Sequence, residues 1–409
     1  MAAGCVESVV NSALPSLFHA VQENTAAALL TDWVRVPVLP KSGLQAVVII
    51  PAKDEAENLP ATLAALAAQT TLEGLPLDHG LYEIVVLANN CHDATAEVAR
   101  QFGRQHPTLA LHILELTLPP HEAHVGKARR LLMDEACRRL EQVGTPGSFI
   151  ASTDADTRVA PTWLAATQAA LAQGADAVGG RILTDTVAYC PVRRRQLQDA
   201  TYHLLRVRLE ALLDPVATDP WPRHHQHFGA SFALTPKAYR RVGGLPIVPY
   251  LEDEALYQAL LRHDLCLRHS PEVRVYTSNR QQGRVAVGLS WQLRQWATLH
   301  EAKQEPLVDN PARLVAEWQI RGLTRHLWRG ALASVLPLLS GSLGLSVRAL
   351  EHQLRNSNTF GDLWQWVLAR WEEYSVPRSY WPPLPLSEAI ACLRRQLAAY
   401  ELRISQQAA

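Results

Sequence analysis

One repeated unit constrains this chain more than anything else: an apolar run without polar interruption, ended by a breaker and followed by a segment of helical periodicity. QAVVIIPA (residues 45–52) precedes ENLPATLAALAAQ, and YEIVVLANN (82–90) precedes DATAEVARQFGRQ. LALHILEL (109–116) precedes KARRLLMDEACRRLEQV, and SFIASTDADT (148–157) precedes PTWLAATQAALAQ and a further strand, DAVGGRIL. Strands that are apolar on both faces must be covered on both faces. Alternation with helices at these intervals predicts an α/β fold: a doubly wound, mostly parallel sheet with right-handed crossovers and helices on both sides. Ligands of such sheets sit beyond the carboxyl ends of the strands, so the chemistry is expected there.

At 409 residues the chain exceeds what one core comfortably fills. Residues 1–43 read as a helical lead-in closed by Pro37, Pro40 and Gly43. Residues 44–300 form the α/β domain, divided at the charged helix 193–213 into halves 44–185 and 186–300, and residues 301–409 read as a helical C-terminal region. Lys plus Arg equals Asp plus Glu at 39 each, which leaves no global field for nucleic acid. The six cysteines are scattered without metal-ligand spacing and read as reduced thiols. The N-terminus lacks the basic start and compact apolar run of a secretory signal, so a cytoplasmic location is expected. The uncharged stretch 330–347 contains Pro337 and is expected to be a buried helical hairpin, with peripheral membrane contact the less favoured alternative.

Two acidic motifs carry the chemistry. In TDADT, Asp154 and Asp156 lie two residues apart just after a buried strand, and period-two alternation would aim both carboxylates the same way. Two hard oxygen donors at a strand end can hold Mg²⁺ or Mn²⁺, which bridges phosphates and offsets charge on a diphosphate leaving group. LEDEAL places Glu252, Asp253 and Glu254 together; they are either a solvated helix start or a catalytic pair. Arg280 and Arg284 flank Gly283 in TSNRQQGR, and their guanidinium forks would suit phosphate oxygens. His224, His225 and His227 lack the i, i+4 spacing of a helical zinc pair and read as a feature of an acceptor loop.

The ordered set PAKDEAENL, ANNCHDAT, HVGKARRLLMDEA, STDADTRVAPTWL, GASFAL, YRRVGG and LEDEAL resembles the family 2 glycosyltransferases over roughly residues 45–300. The resemblance implies a GT-A-like fold and transfer, with inversion, of a sugar from a UDP- or GDP-linked donor to an acceptor hydroxyl. The acceptor is not readable from sequence. By the same resemblance Pro51, Asp54 and Glu55 would line the first nucleotide loop, although the two acids also suit a helix N-terminus. Asn89 and Asn90 stand where the family carries aspartates, and Asp93 keeps the last one, or caps a helix. Lys127 would touch the donor, Asp154 would serve both donor and metal, and His269 lies where some relatives place a further metal ligand. Asp253 would be the base, with Glu252 orienting the acceptor. The helical tail would support either a homo-oligomer or a cover for the acceptor site. A nucleotidyltransferase is disfavoured because PAKDEAEN has no glycine; a silent scaffold draws support from Asn89 and Asn90 and is opposed by the retention of both acidic motifs.

Overall fold

A computed structural model describes residues 34–184, 191–278, 288–375 and 380–408. Most of the expected helical lead-in, and both Arg280 and Arg284, therefore lie outside the described residues. Within the lead-in, residues 34–43 form bends and a turn without helix, in keeping with its breakers.

Strand β1 (Ala46–Ala52) shows why the apolar runs matter. Val47, Val48, Ile49 and Ile50 are all fully buried, but alternate residues enter different cores. Val48 and Ile50 pack with Leu59 and Leu63 of α1 (Leu59–Ala67) and Trp163 of α4 (Trp163–Ala172), whereas Val47 and Ile49 pack with Leu132 and Met133 of α3 (Val125–Val143). Period-two geometry thus divides one strand between two helical layers.

β1 pairs in parallel with β2 (Tyr82–Asn89) and β4 (Phe149–Ser152), and β2 with β3 (Ala110–Leu116), which leads back from α2 (Thr95–Gln105). The eight-stranded sheet continues beyond β4 through β7 (Phe232–Leu234), β6 (Ala177–Thr184), β8 (Leu267–Thr277) and the edge strand β5 (Thr157–Val159). β6 and β8 are parallel, whereas β7 runs antiparallel to both β4 and β6, and β5 antiparallel to β8. The sheet is mostly parallel, as expected, but its second half is mixed. GASFAL inserts as β7 instead of extending the β-α rhythm, because it follows the excursion of α5 (Pro191–Leu213) and not a crossover helix.

After β7 come α6 (Pro236–Arg241) and α7 (Glu252–Arg262). The C-terminal region is helical: α8 (Leu289–Glu301), α9 (Pro311–Trp328), α10 (Leu332–Ser342), α11 (Val347–Asn356), α12 (Phe360–Arg370) and α13 (Leu386–Ala408), with the short strands β9 (Leu307–Val308) and β10 (Leu384–Pro385) paired between them. It has two cores. Tyr202 and Leu209 of α5 pack with Trp318 of α9 and Leu393 of α13, while Leu336, Leu339 and Leu343 pack with Leu350 and Leu363. The uncharged stretch is therefore a single helix and the turn after it, not a buried hairpin: Val335, Leu336, Leu339 and Leu343 are packed, whereas Pro337 and Leu338 are exposed. Among the described residues no helix is long and apolar enough to cross a membrane.

Candidate active site

The turn after β4 is pinned from three sides. The Thr153 N–H donates to the Ile49 carbonyl, the Thr62 hydroxyl to the Ala155 carbonyl, and the Thr157 N–H to the Asp154 carbonyl. Asp154 and Asp156 both line a cleft of about 2090 Å³ that also holds Glu252, Asp253 and Glu254. The Ser278 hydroxyl reaches Asp156 Oδ2 at 3.3 Å.

Helix α7 delivers its acids through a tight entry. Leu251 adopts a left-handed conformation, φ 59°, so the chain turns sharply and the first helical turn faces the cleft. These acids are not a solvated helix start. Asp253 Oδ2 accepts the Gly229 N–H at 2.8 Å, and Glu254 Oε2 lies 2.7 Å from His227 Nε2. Glu252 is only 4% exposed. Burial raises the pKa of Glu252 against the pull of Arg129, and burial likewise raises Asp253 against the Gly229 N–H.

Arg129 organises this cluster, and sequence reasoning passed over it in favour of Lys127. The Arg129 side chain is 4% exposed; its Nη2 donates to Asp154 Oδ1 and its Nε to Glu252 Oε1, each at 3.0 Å, while Nη1 donates to the Gly229 carbonyl at 3.0 Å and to Ser152 Oγ. One guanidinium thus joins the metal-type turn, the loop before β7 and the first turn of α7. Lys127 does not line the cleft; its Nζ lies 3.5 Å from Glu122. Two residues along a helix are about 200° apart, so Arg129 faces the sheet end when Lys127 cannot. A usable signal was present: an arginine four residues past the start of α3, with the apolar Ala128, Leu131 and Leu132 close to it in the chain. Gly126 lets α3 approach this closely, because a Cβ there would come within 1.9 Å of the Val248 carbonyl oxygen.

Of the expected nucleotide residues, Pro51, Glu55 and Asn89 line the cleft, and Asp54 and Asp93 do not. Asp54 accepts the His92 N–H at 2.6 Å, and Asp93 accepts the N–H groups of Ala56 and Thr95 at 3.0 Å each. Together they tie the loop after β1 to the loop after β2. Their carboxylates and Cys91 Sγ form the one trio among the described residues whose potential metal-ligand atoms gather within 4.8 Å. Its atoms already serve the loops: Cys91 Sγ also receives the Asp54 N–H at 3.4 Å. Asn90 is likewise structural, clasping Leu118 through both its Nδ2 and Oδ1. Asn89 differs, being 4% exposed with a buried Oδ1 that has no hydrogen-bond partner in the protein.

His269 lines the cleft but is engaged by Asp219, which takes its Nδ1 at 2.8 Å and its N–H at 2.9 Å. Burial alone would raise the Asp219 pKa, yet His269 and Arg223 hold that carboxyl far below its usual range. Among the described residues, Asp154, Asp156 and His269 do not gather as a ligand trio, and His269 is held within the Asp219 network. The three loop histidines also separate: His224 Nε2 meets the Ser270 carbonyl, His225 stacks on His203 at 3.9 Å, and His227 stacks on Tyr257 at 3.9 Å.

A sequence model described as glycosyl transferase family 2 matches residues 47–222, covering β1 to β6, the acidic turn and α5. No curated protein matches the chain. Solved structures similar to it include a mannosyltransferase, PcManGT, from Pyrobaculum calidifontis in complex with GDP-Man and Mn²⁺ (18% identity, TM-score 0.43, 90% of this chain and 99% of that one). TarS 1–349 of S. aureus (14%, 0.40, 81% and 92%) and glucosyl-3-phosphoglycerate synthase of M. tuberculosis (14%, 0.34, 64% and 82%) are also similar. With TM-scores under 0.5, these likenesses imply nothing further about the chain. The family 2 glycosyl transferase model thus matches the part of this chain that carries the parallel strands β1 to β4 and the acidic turn at their carboxyl edge, and the chain resembles that family there.

Proposed function

We propose that the protein is an inverting, metal-dependent glycosyltransferase that takes a UDP- or GDP-linked sugar and transfers it to an acceptor hydroxyl. The observation that carries this reading is the Arg129 bridge, which holds Asp154 beside Glu252 while Asp253 lines the same cleft. A donor-activating turn and a proton acceptor have to meet at one anomeric carbon, and a cleft shared by Asp154, Asp156 and Asp253 supports that reading.

The donor set suits a hard divalent cation: Asp154 and Asp156 supply carboxylate oxygens on a pinned turn, and a cation such as Mg²⁺ or Mn²⁺ takes few protein ligands when phosphates and water complete its shell. When bound, it neutralises charge on the departing diphosphate. Pro51, Glu55 and Asn89 line the nucleotide side, where the unpartnered Asn89 Oδ1 can accept a hydrogen bond from a base. Asp253 takes the proton of the acceptor hydroxyl as that oxygen bonds to the anomeric carbon and the nucleoside diphosphate leaves from the opposite face. The Gly229 N–H fixes the orientation of Asp253, and Glu252, anchored by Arg129, shapes the acceptor side.

Calorimetric titration of UDP and GDP with Mn²⁺, paired with nucleotide release from UDP- and GDP-sugars, tests this reading. Asp156→Ala is expected to lose metal-dependent nucleotide affinity. Asp253→Ala should keep that affinity and lose turnover by roughly 10²–10⁴-fold. Equal metal-dependent binding by wild type and Asp156→Ala would refute the assignment.

A further inference from the structure

The cleft is larger than one substrate needs. Its volume of about 2090 Å³ exceeds the roughly 300–1,000 Å³ usual for a small-molecule site. The excess lies where the C-terminal helices join the α/β domain, and α7 leads to it. Asp253, Glu254, Tyr257, Gln258, Leu261 and Arg262 all line the cleft. That i, i+4, i+8 spacing is one helical face, about 12 Å long at 1.5 Å per residue.

At the far end of this face the C-terminal region is docked, not merely adjacent. Arg262 Nε donates to Gln365 Oε1 at 3.1 Å, the Thr359 hydroxyl donates to the Arg262 carbonyl at 2.6 Å, and Asp264 accepts the N–H groups of Phe360 and Gly361 at 2.8 Å each. The same helix that presents Asp253 at its first turn therefore carries α12 at its last.

The chemistry of this far arm is specific. Trp328, Phe360 and Trp364 line it as half-buried rings. Its buried cations are already matched: Arg321 bonds Glu210 and Asp214, Arg325 bonds Asp214, and Arg223 bonds Glu210 and Asp219. A phosphate or carboxylate drawn to Arg321, Arg325 or Arg223 would have to break an ion pair, which is costly for buried charges. A neutral ring rich in hydroxyls would not: its C–H faces fit aromatic rings, and its hydroxyls can share oxygens and N–H groups that already point at one another.

Building on the proposed transferase reading, we infer that the arm of the cleft walled by α9 and α12 is the acceptor site, and that the acceptor entering it is a neutral glycosyl unit, delivered along α7 to Asp253. This gives the C-terminal helical region a role in the reaction itself.

The test uses the full chain and two titrations. Neutral methyl glycosides and their phosphorylated and uronic counterparts are titrated with intrinsic fluorescence and hydrogen exchange as readouts, and UDP or GDP with Mn²⁺ is titrated in parallel. A neutral glycoside is expected to bind saturably and to slow exchange in 311–328 and 360–370 without doing so in 47–58, while its anionic counterparts bind more weakly. Trp364→Ala, checked for an unchanged melting temperature, should weaken glycoside binding about tenfold and leave nucleotide affinity unchanged. Should Trp364→Ala melt early, Trp364→Leu, which keeps the apolar packing and removes the indole face, carries the same expectation. Tighter binding of the anionic counterparts, absence of any glycoside binding, or equal weakening of nucleotide and glycoside would overturn the inference while leaving the donor reading standing. Failure of wild type to bind either nucleotide would instead sink the donor reading and this inference with it.

Discussion

Asp54 and Asp93 differ from Glu252 and Asp253 chiefly in where their partners come from. The first pair sits on loops and accepts N–H groups from the neighbouring loop; the second sits buried at a helix start, where Glu252 faces the Arg129 guanidinium and Asp253 accepts the Gly229 N–H. The consequence for charge is opposite. The His92 N–H holds the Asp54 carboxyl below its ordinary value, and hydrogen bonds from Thr95 and Ala56 outweigh burial to lower Asp93. Burial raises Glu252 and Asp253 instead. The two carboxylate pairs at the edge of one sheet therefore differ in the cost of their charge: acids held toward ionisation brace loops, whereas the acids for which burial makes charge costly are those we propose as the proton acceptor and its neighbour.

Arg129→Met is the harshest way to break this contrast. It removes the one cation from a buried cluster and leaves Glu252 unpaired, so stability should fall by about 3–5 kcal/mol, read by urea unfolding. Arg129→Lys, which keeps the charge without the fork, should recover part of the loss. A methionine variant as stable as wild type would mean that the cluster is not held by charge. Asp93→Ala probes the other side: losing one loop brace should cost about 1 kcal/mol in the same assay, with no change in metal-dependent nucleotide binding. A matching loss of metal response would move the cation from the acidic turn to the Asp54, Cys91 and Asp93 trio.

The smallest effect carries the sharpest sign. A carboxylate whose pKa rises on folding contributes stability that declines as pH climbs from its ordinary value, 4.5 for Glu252, through the raised one. Glu252→Gln removes that decline, so its melting temperature relative to wild type should improve between pH 5 and pH 8. Asp54→Asn should behave in reverse, because a lowered pKa contributes stability present above the ordinary value, 3.8, and lost as pH falls below it. Parallel pH profiles for the two variants would erase the distinction between the clusters.

Much of this was readable before any coordinates. β1, β2 and β4 announce themselves because unbroken apolar runs can only be strands covered on both faces, and TDADT follows directly from where β4 ends. Position along a strand was legible; position across the molecule was not. Arg129 meets Glu252 over a separation of 123 residues, and no local periodicity encodes such a pair. The antiparallel insertion of β7 escaped for a similar reason: three residues carry too little pattern to reveal direction. Lys127 as a donor contact and His269 as a metal ligand were suggested by the order of motifs, which carries no sign of their nearer partners, Glu122 and Asp219. The acceptor arm was illegible in principle, since it is assembled from α7, α9 and α12, which are distant in sequence.

Gly361 has a further meaning. A Cβ there would come within 2.2 Å of the Leu261 carbonyl oxygen and 2.6 Å of the Arg262 Cα, so α12 rests on bare backbone at the end of α7. The side-chain contacts around it, such as Arg262 with Gln365, could be traded for others, but this main-chain approach could not. The tail and the helix bearing Asp253 are consequently fitted to each other at this point: a hybrid chain that borrowed a foreign C-terminal region would need a residue without a side chain where Gly361 meets the end of α7.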